Sequence, residues 1–328
     1  MPHFDRVICL SNVASERGVK QAGILKSQLH EQPTVQFVAT RDLAALHTSL
    51  DALHPTESDL LVVNGGDGSL QAVLSELAIA QCAPTVGVLP GGSTNMSAYD
   101  INQHRRFKPC VAELASQLGS STDPAVTERA VLRVTDGQRS RVGFFCGIGA
   151  VVEAIEYCHQ ELYAAGAKRR EFTAGLAMLR AIWGVLRKQP PFAVSQPLKL
   201  EAYNAAASDE EQPASIVSLA PQAGALLVAA STLQRLLVGV RPHWGDEPGA
   251  LRFTMVERDQ RGLWFRLPGL LGLVGWPRPV ASAGYHSHNC ERLELTMAGG
   301  YTIDGELFVP ATDKITLDVQ QAFRFLVL

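Results

Sequence analysis

Short apolar runs alternating with helical patterns set the rhythm of the first third of the chain. Val7 to Leu10, Val35 to Ala39, Leu60 to Val63 and Thr85 to Leu89 read as strands. Between the first two, Ala22, Leu25 and Leu29 keep a helical spacing, and after the third, Leu70, Val73, Leu74 and Leu77 fall at i, i+3, i+4 and i+7. Such alternation predicts an α/β sheet with parallel strands. Two of the strands run directly into glycine turns, NGGDGS and PGGS, the second followed by a helix expected from about Thr94.

From about Glu128 the texture changes. RAVLRV, SRVGFFCG, LRFTMVE, ERLELTM and KITLDV are strand-like and are broken by Gly, Pro and polar turns, which predicts a β-rich second domain. A helical stretch from about Val151 to Lys188 interrupts it and carries Lys168, Arg169 and Arg170. The acidic, small-residue segment NAAASDEEQPAS, 204–215, reads as a surface loop. The expected organisation is an α/β nucleotide-binding domain over 1–127 and a β-rich, sandwich-like domain over 128–328, with the last strand free to return to the first domain.

Composition narrows the function classes. With 328 residues, 46% hydrophobic and 19% charged, the chain suits two folded domains. A net charge of -3 gives no general attraction to phosphate backbones, so nucleic acid is not an expected partner. The N-terminus lacks the pattern of a signal peptide and no apolar run approaches the ~18 residues of a membrane span, so a cytoplasmic protein is expected. Six scattered cysteines without CxxC spacing argue for small buried apolar residues rather than disulfides or zinc. The nearest metal-like cluster, His286, His288 and Cys290 in GYHSHNC, reads as a turn and strand.

The chemistry is concentrated in three turns. Gly65, Gly66, Asp67, Gly68 and Ser69 form the first; Gly91, Gly92, Ser93, Thr94 and Asn95 form the second. At the carboxyl ends of neighbouring parallel strands, their backbone N–H groups and two helix N-termini would surround a phosphate-binding crevice. Glycine there permits close approach and positive φ. The P-loop pattern and its lysine are absent. An acid in a phosphate turn makes sense beside a cation, so Asp67 either sits near a magnesium ion or bonds the turn's own amides. The third turn, Asp304, Gly305 and Glu306 in YTIDGELF, presents two carboxylates, although DG is equally the signature of an ordinary hairpin.

Together these motifs resemble the diacylglycerol kinase catalytic-domain family. GGDGSLQAVLSEL is similar to its GGDGT-x-x-E-V segment, LPGGSTNMSA to its P-x-G-T-x-N-x-x-A segment, and DGELF follows in the same order near the C-terminus. The resemblance implies a lipid kinase that uses ATP and Mg2+ on a fold distantly similar to NAD kinases and phosphofructokinases. By position it implies that Asn12, Thr40, Gly65 to Leu70 and Thr94 serve the nucleotide, with Asp304 the catalytic base and Glu306 its neighbouring acid. Asn12 and Ser15 match the family's NPxSG loop, whose proline and glycine are missing. Gly147 and Gly149 resemble the glycine pair that opens the second domain. Departures are Met96 in place of Asp, and Ser69 and Ser93 in place of threonines. Between about Pro190 and Gly249 the DDG turn that often holds a structural magnesium is absent; GDEPG, with Asp246 and Glu247, is its nearest remnant, so the metal candidates are Asp67 and Asp246.

The implied reaction places a lipid hydroxyl between the domains, beside Asp304, with the triphosphate on the glycine turns. Two other readings stay open: a kinase of a soluble acceptor on the same scaffold, and a non-catalytic lipid-binding relative. The acceptor lipid and a homodimer are open too. Peripheral contact with the inner membrane face has its own candidate in GLWFRLPGLLGLVGWPRP, 262–279, where Trp264, Phe265, Leu267, Leu270, Leu271, Leu273, Val274 and Trp276 surround Arg266, with Arg278 after them. The alternative for this segment is a core helix of the second domain.

Overall fold

A computed structural model describes residues 4–32, 34–92, 94–137, 139–157, 180, 183–184, 187, 197–204, 215–236 and 239–328. The chain divides into two compact units, one of Met1–Val131 with Gln321–Leu328, the other of Leu132–Gln320.

In the first unit the strands β1 (Val7–Asn12), β2 (Val35–Thr40), β3 (Leu60–Gly65) and β4 (Thr85–Pro90) alternate with helices α1 (Glu16–Leu29), α2 (Leu43–Leu53), α3 (Asp67–Ile79) and α4 (Met96–Ile101), followed by α5 (Phe107–Gly119). The strands are parallel in the order β2-β1-β3-β4, and the chain's last strand, β16 (Lys314–Leu326), adds to β4 in parallel through Phe325 and Leu326. Parallel strands covered on both faces need apolar side chains on both, and VICL, LLVV and TVGVL are buried throughout. Leu25, Leu29, Cys110, Val111 and Leu114 bring α1 and α5 onto one face of this sheet, against Val7, Leu60 and Val62. Ser15 caps α1 by accepting from the N–H of Gly18, and Asp42 caps α2 in the same way.

The second unit is antiparallel. β5 (Val126–Asp136) enters it and is followed by β6 (Arg139–Gly143), β7 (Phe145–Gly149), α6 (Ala150–Tyr157), β8 (Leu198–Tyr203), β9 (Ser215–Leu219), β10 (Ala225–Ser231) and β11 (Leu251–Glu257). Then come α7 (Leu263–Leu270), β12 (Tyr285–Cys290), β13 (Arg292–Met297), β14 (Tyr301–Ile303) and β15 (Glu306–Phe308). One sheet runs β12-β11-β10-β7-β14-β15; the other strands pair as β16-β13-β8-β9 and β5-β6. Leu132, Val134, Cys146, Ile148, Phe253, Met255, Leu293 and Leu317 come from both sets and form one core, the packing of a sandwich.

Several expectations shift in detail. SRVGFFCG is two strands, because the chain leaves the ladder at Phe144. The second glycine turn is longer than expected, and α4 begins at Met96 because Asn95 takes left-handed backbone, φ 50. In the helical stretch after Val151 the described residues run to Tyr157 and then comprise only 180, 183–184 and 187, with 180, 183 and 184 helical; Lys168 to Arg170 and most of the 204–215 loop lie outside the described residues. Cys9, Cys110, Cys146 and Cys290 are buried free thiols, and burial pushes the Cys9 and Cys290 thiols up to about 12, away from reactive thiolate.

Candidate functional site

The topological switch of the first sheet lies between β1 and β3, since the chain winds from β1 outward to β2 and then back across to β3. Ligands of open α/β sheets bind outside the carboxyl ends of strands at such a point. Asn12 ends β1 and Gly65 ends β3. The Asn12 side chain crosses the switch, donating from Nδ2 to Ser69 Oγ at 3.1 Å while its Oδ1 accepts from the Ala14 N–H at 3.0 Å. Thr40 ends β2 directly beside Asn12 and is buried, its carbonyl accepting from the Val13 N–H at 2.8 Å.

The two glycine turns interlock. The Gly91 N–H donates to the Gly65 carbonyl at 3.0 Å, and a β-carbon on Gly92 would stand 2.4 Å from the Gly66 α-carbon. One on Gly91 would stand 2.8 Å from both the nitrogen and the oxygen of Gly65. Glycine is therefore required here for backbone-to-backbone approach. The expected positive φ is not what these positions use: none of Gly65, Gly66, Gly68, Gly91 and Gly92 is among the left-handed glycines, and Gly66 has φ -91.

Asp67 bonds the opposite turn rather than its own. Its carboxylate accepts from Thr94 Oγ1 at 2.5 Å and from the Met96 and Ser97 N–H groups at 3.1 and 3.0 Å, so an acid at the start of α3 caps α4. These donors stabilise the charge, which at 6% exposure would otherwise be costly. Asn95 is as deeply used: it accepts from the Gly92 N–H at 2.7 Å, donates to the Gly92 carbonyl at 3.0 Å and is 2% exposed. Thr40, Asp67 and Asn95 thus form a buried frame, while Asn12, Gly65, Gly66, Gly68, Ser69, Gly91, Gly92 and Thr94 stay partly exposed around it. Ser93 lies outside the described residues. The first amides of α3, at Asp67 and Gly68, have no acceptor within the helix.

In the second unit Asp304 and Gly305 occupy the two-residue turn between β14 and β15, with φ 49 and 95. Both left-handed conformations are those of the favoured hairpin turn, so the hairpin reading of DG holds. The Asp304 carboxylate is 9% exposed and accepts from the N–H groups of Phe144, at 3.0 and 3.2 Å, and Phe145, at 2.9 Å. Gly143 makes room for it: a β-carbon there would lie 2.6 Å from Oδ2. Buried Ser231 donates to the Phe144 carbonyl at 2.7 Å and fixes the same peptide from its other side. Glu306 is exposed at the start of β15. Gly147 and Gly149 are needed for packing, against Val151 and the Leu226 carbonyl respectively.

Sequence reasoning passed over Gly143, Ser231 and Asn64, whose Nδ2 bonds Ser11 Oγ at 3.1 Å beneath the first turn. The signal for Asn64 was its place directly before GGDG; Gly143 and Ser231 have no local signature.

Among the described residues no three His, Cys, Asp or Glu side chains gather to hold an ion. His286 and His288 face separate partners, Glu257 at 2.9 Å and Glu247 at 2.5 Å. Glu247 also accepts from the Asn289 N–H at 3.0 Å, which makes it a latch on β12, while Asp246 is exposed. Asp67 directs its two oxygens at three donors of the neighbouring turn.

A parallel sheet with paired glycine turns at its switch point is an α/β architecture of the kind that binds ligands outside the carboxyl ends of its strands. Residues 6–126 match the diacylglycerol kinase catalytic domain, the family that the motifs resemble. Among solved structures, a "putative diacylglycerol kinase" from Bacillus anthracis str. Sterne is 16% identical with a TM-score of 0.69, covering 100% of this chain and 99% of its own. A second structure of that description is 17% identical, with TM-score 0.69 and coverages of 100% and 97%. A third, of a diacylglycerol kinase from the same organism, is 13% identical, with TM-score 0.62 and coverages of 100% and 98%. At these identities the likeness is one of fold, and it holds for the α/β unit and the β-rich unit alike. No curated protein matches the sequence.

Proposed function

We propose that this protein is an ATP-dependent lipid kinase that phosphorylates a hydroxyl of a diacylglycerol-like lipid. The observation that carries the reading is the interlocking of Asn12, Ser69, Asp67 and Thr94 with two glycine turns at the switch point of a kinase catalytic domain. The rigid frame beneath the turns supports a preorganised phosphate site, in which orientation costs nothing at the moment of reaction. Asn12, the amides opening α3 and Ser69 are the groups offered to the triphosphate.

The acceptor oxygen attacks the γ-phosphorus, the bond from phosphorus to the β–γ bridging oxygen breaks, and ADP leaves with that electron pair. The acceptor's proton passes to the Asp304 carboxylate, which the Phe144 and Phe145 amides hold in one orientation. Exposed Glu306, one residue beyond the turn, orients the acceptor. A divalent ion accompanying ATP would neutralise phosphate charge, held chiefly by phosphate oxygens and water. A lipid acceptor would bring the protein to the membrane surface, where it would work as a peripheral enzyme on the inner face.

ADP formation is the test, with diacylglycerol, monoacylglycerol and a sphingoid base in detergent micelles and NAD as a soluble acceptor. Turnover with a lipid alcohol and none with NAD is expected. Phosphorylated NAD, or no ADP with any lipid, overturns the assignment.

A further inference from the structure

The segment after β11 exposes apolar side chains on a firmly built projection. The inner face of α7 is satisfied: Leu263, Leu267 and Leu270, at i, i+4 and i+7, pack with Leu226, Val256 and Tyr285. Trp264, Phe265, Leu273, Val274 and Trp276 point away from this core, Phe265 84% and Val274 101% exposed. Trp183 joins them, its ring edge-on to Trp264 with centroids 5.9 Å apart. Scattered exposed apolar residues need no explanation, but a contiguous group of aromatic and aliphatic side chains marks a contact surface.

The projection is held in shape. Arg278 Nη1 donates to the Arg241 and Gly269 carbonyls at 2.8 and 2.9 Å, closing the loop back onto α7. Gly272 and Gly275 turn the loop with φ 73 and 86, which lifts Leu273 and Val274 to its tip. A β-carbon on Gly269 would stand 2.0 Å from the Pro277 carbonyl oxygen, so the returning chain packs directly on the helix.

Charge selects the occupant. From Gln260 to Cys290 the sequence holds Arg261, Arg266 and Arg278 and no Asp or Glu, and Arg187 lies over the Trp183 ring at 4.2 Å. Tryptophans with arginines around an aliphatic tip match the interface of an anionic bilayer, where the tip enters the acyl boundary and the cations meet the headgroups. No helix among the described residues is long and apolar enough to cross a membrane, so the contact is with its surface.

We propose that α7 and the loop to Pro279 dock this protein onto anionic phospholipid membranes. The inference deepens the lipid-kinase reading but its measurement needs neither nucleotide nor turnover. Co-sedimentation uses vesicles of phosphatidylglycerol with phosphatidylcholine, and of phosphatidylcholine alone, for wild type and for Phe265→Asp/Val274→Asp. Both side chains lie outside the core, so the variant keeps its thermal midpoint. Wild type should bind the anionic vesicles more tightly than the neutral ones, and the variant should lose about tenfold or more, from the transfer of two apolar side chains. Equal sedimentation of the two proteins, or wild type left in the supernatant, overturns the proposal. So does a wild-type dimer that becomes a monomer in the variant by sedimentation velocity, which gives the face to a second copy. ADP formation on a short-chain, water-soluble diacylglycerol should be the same in both proteins; its absence in both would count against the kinase reading and leave the docking result standing.

Discussion

Asp67 and Asp304 are both acids beside glycine in tight turns, both nearly buried, and both part of motifs that pointed to catalysis. Asp67 sits on ordinary helical backbone, and its three donors come from Thr94, Met96 and Ser97 in the neighbouring turn of the same unit. Asp304 sits on left-handed backbone, and its carboxylate accepts from the amides of Phe144 and Phe145, some 160 residues earlier. The first arrangement spends a carboxylate on joining two loops. The second holds a carboxylate in one direction through amides that lie far away in the chain. An acid in a motif can thus join two loops or be held by a distant one, and its donors tell which.

The largest expected effect lies at Asp304. Asparagine tolerates left-handed backbone and keeps an oxygen for the two amides, so Asp304→Asn should fold as wild type while lipid-dependent ADP formation falls about 10²–10⁴-fold. Undiminished turnover would place the base elsewhere. Next comes Gly92→Ala, whose β-carbon meets backbone rather than a movable side chain. A loss of about 3 kcal/mol in urea unfolding of the α/β unit, together with weaker ATP binding, is expected. Gly66→Ala, where the gap is 3.2 Å, should cost far less.

If Asp67 is a staple, Asp67→Asn should destabilise by about 2 kcal/mol, because a side-chain amide would face three donors. A variant that loses turnover at unchanged stability would move Asp67 from the frame to the chemistry. A further effect appears only in acid. His243, half-buried with Nδ1 3.0 Å from Thr254 Oγ1 and a buried Nε2 without a partner, has its pKa pushed down to about 3 by burial, with Arg252 and Arg278 adding repulsion. Between pH 6.5 and about 3 the unfolded chain binds a proton that the folded chain refuses, so stability falls as pH drops through that window, by about 1.4 kcal/mol per pH unit. Unfolding midpoints at pH 7 and pH 5 should therefore diverge more for wild type than for His243→Gln.

Much of the α/β unit was legible because its signals are local. Runs such as LLVV can be buried on both faces only in a parallel sheet, and a glycine pair after each run marks the turn. The DG hairpin was legible for the same reason, since two adjacent residues carry its geometry. The segment 262–279 was legible only as apolar; its division into an inner row at Leu263, Leu267 and Leu270 and an outer row at Trp264 and Phe265 depends on which side β11 and β12 present to the helix.

Local sequence carried the strands of the α/β unit and the glycine turns, because backbone conformation and the alternation of apolar runs are settled within a few residues of each position. Only the tertiary structure decided that Asp67 would cap the helix of the other turn, that Gly143 and Ser231 would shape the setting of Asp304, and that Arg278 would pin an exposed apolar loop. Each of these joins residues far apart in the chain, and hydrogen bonds of that kind leave no periodicity to read.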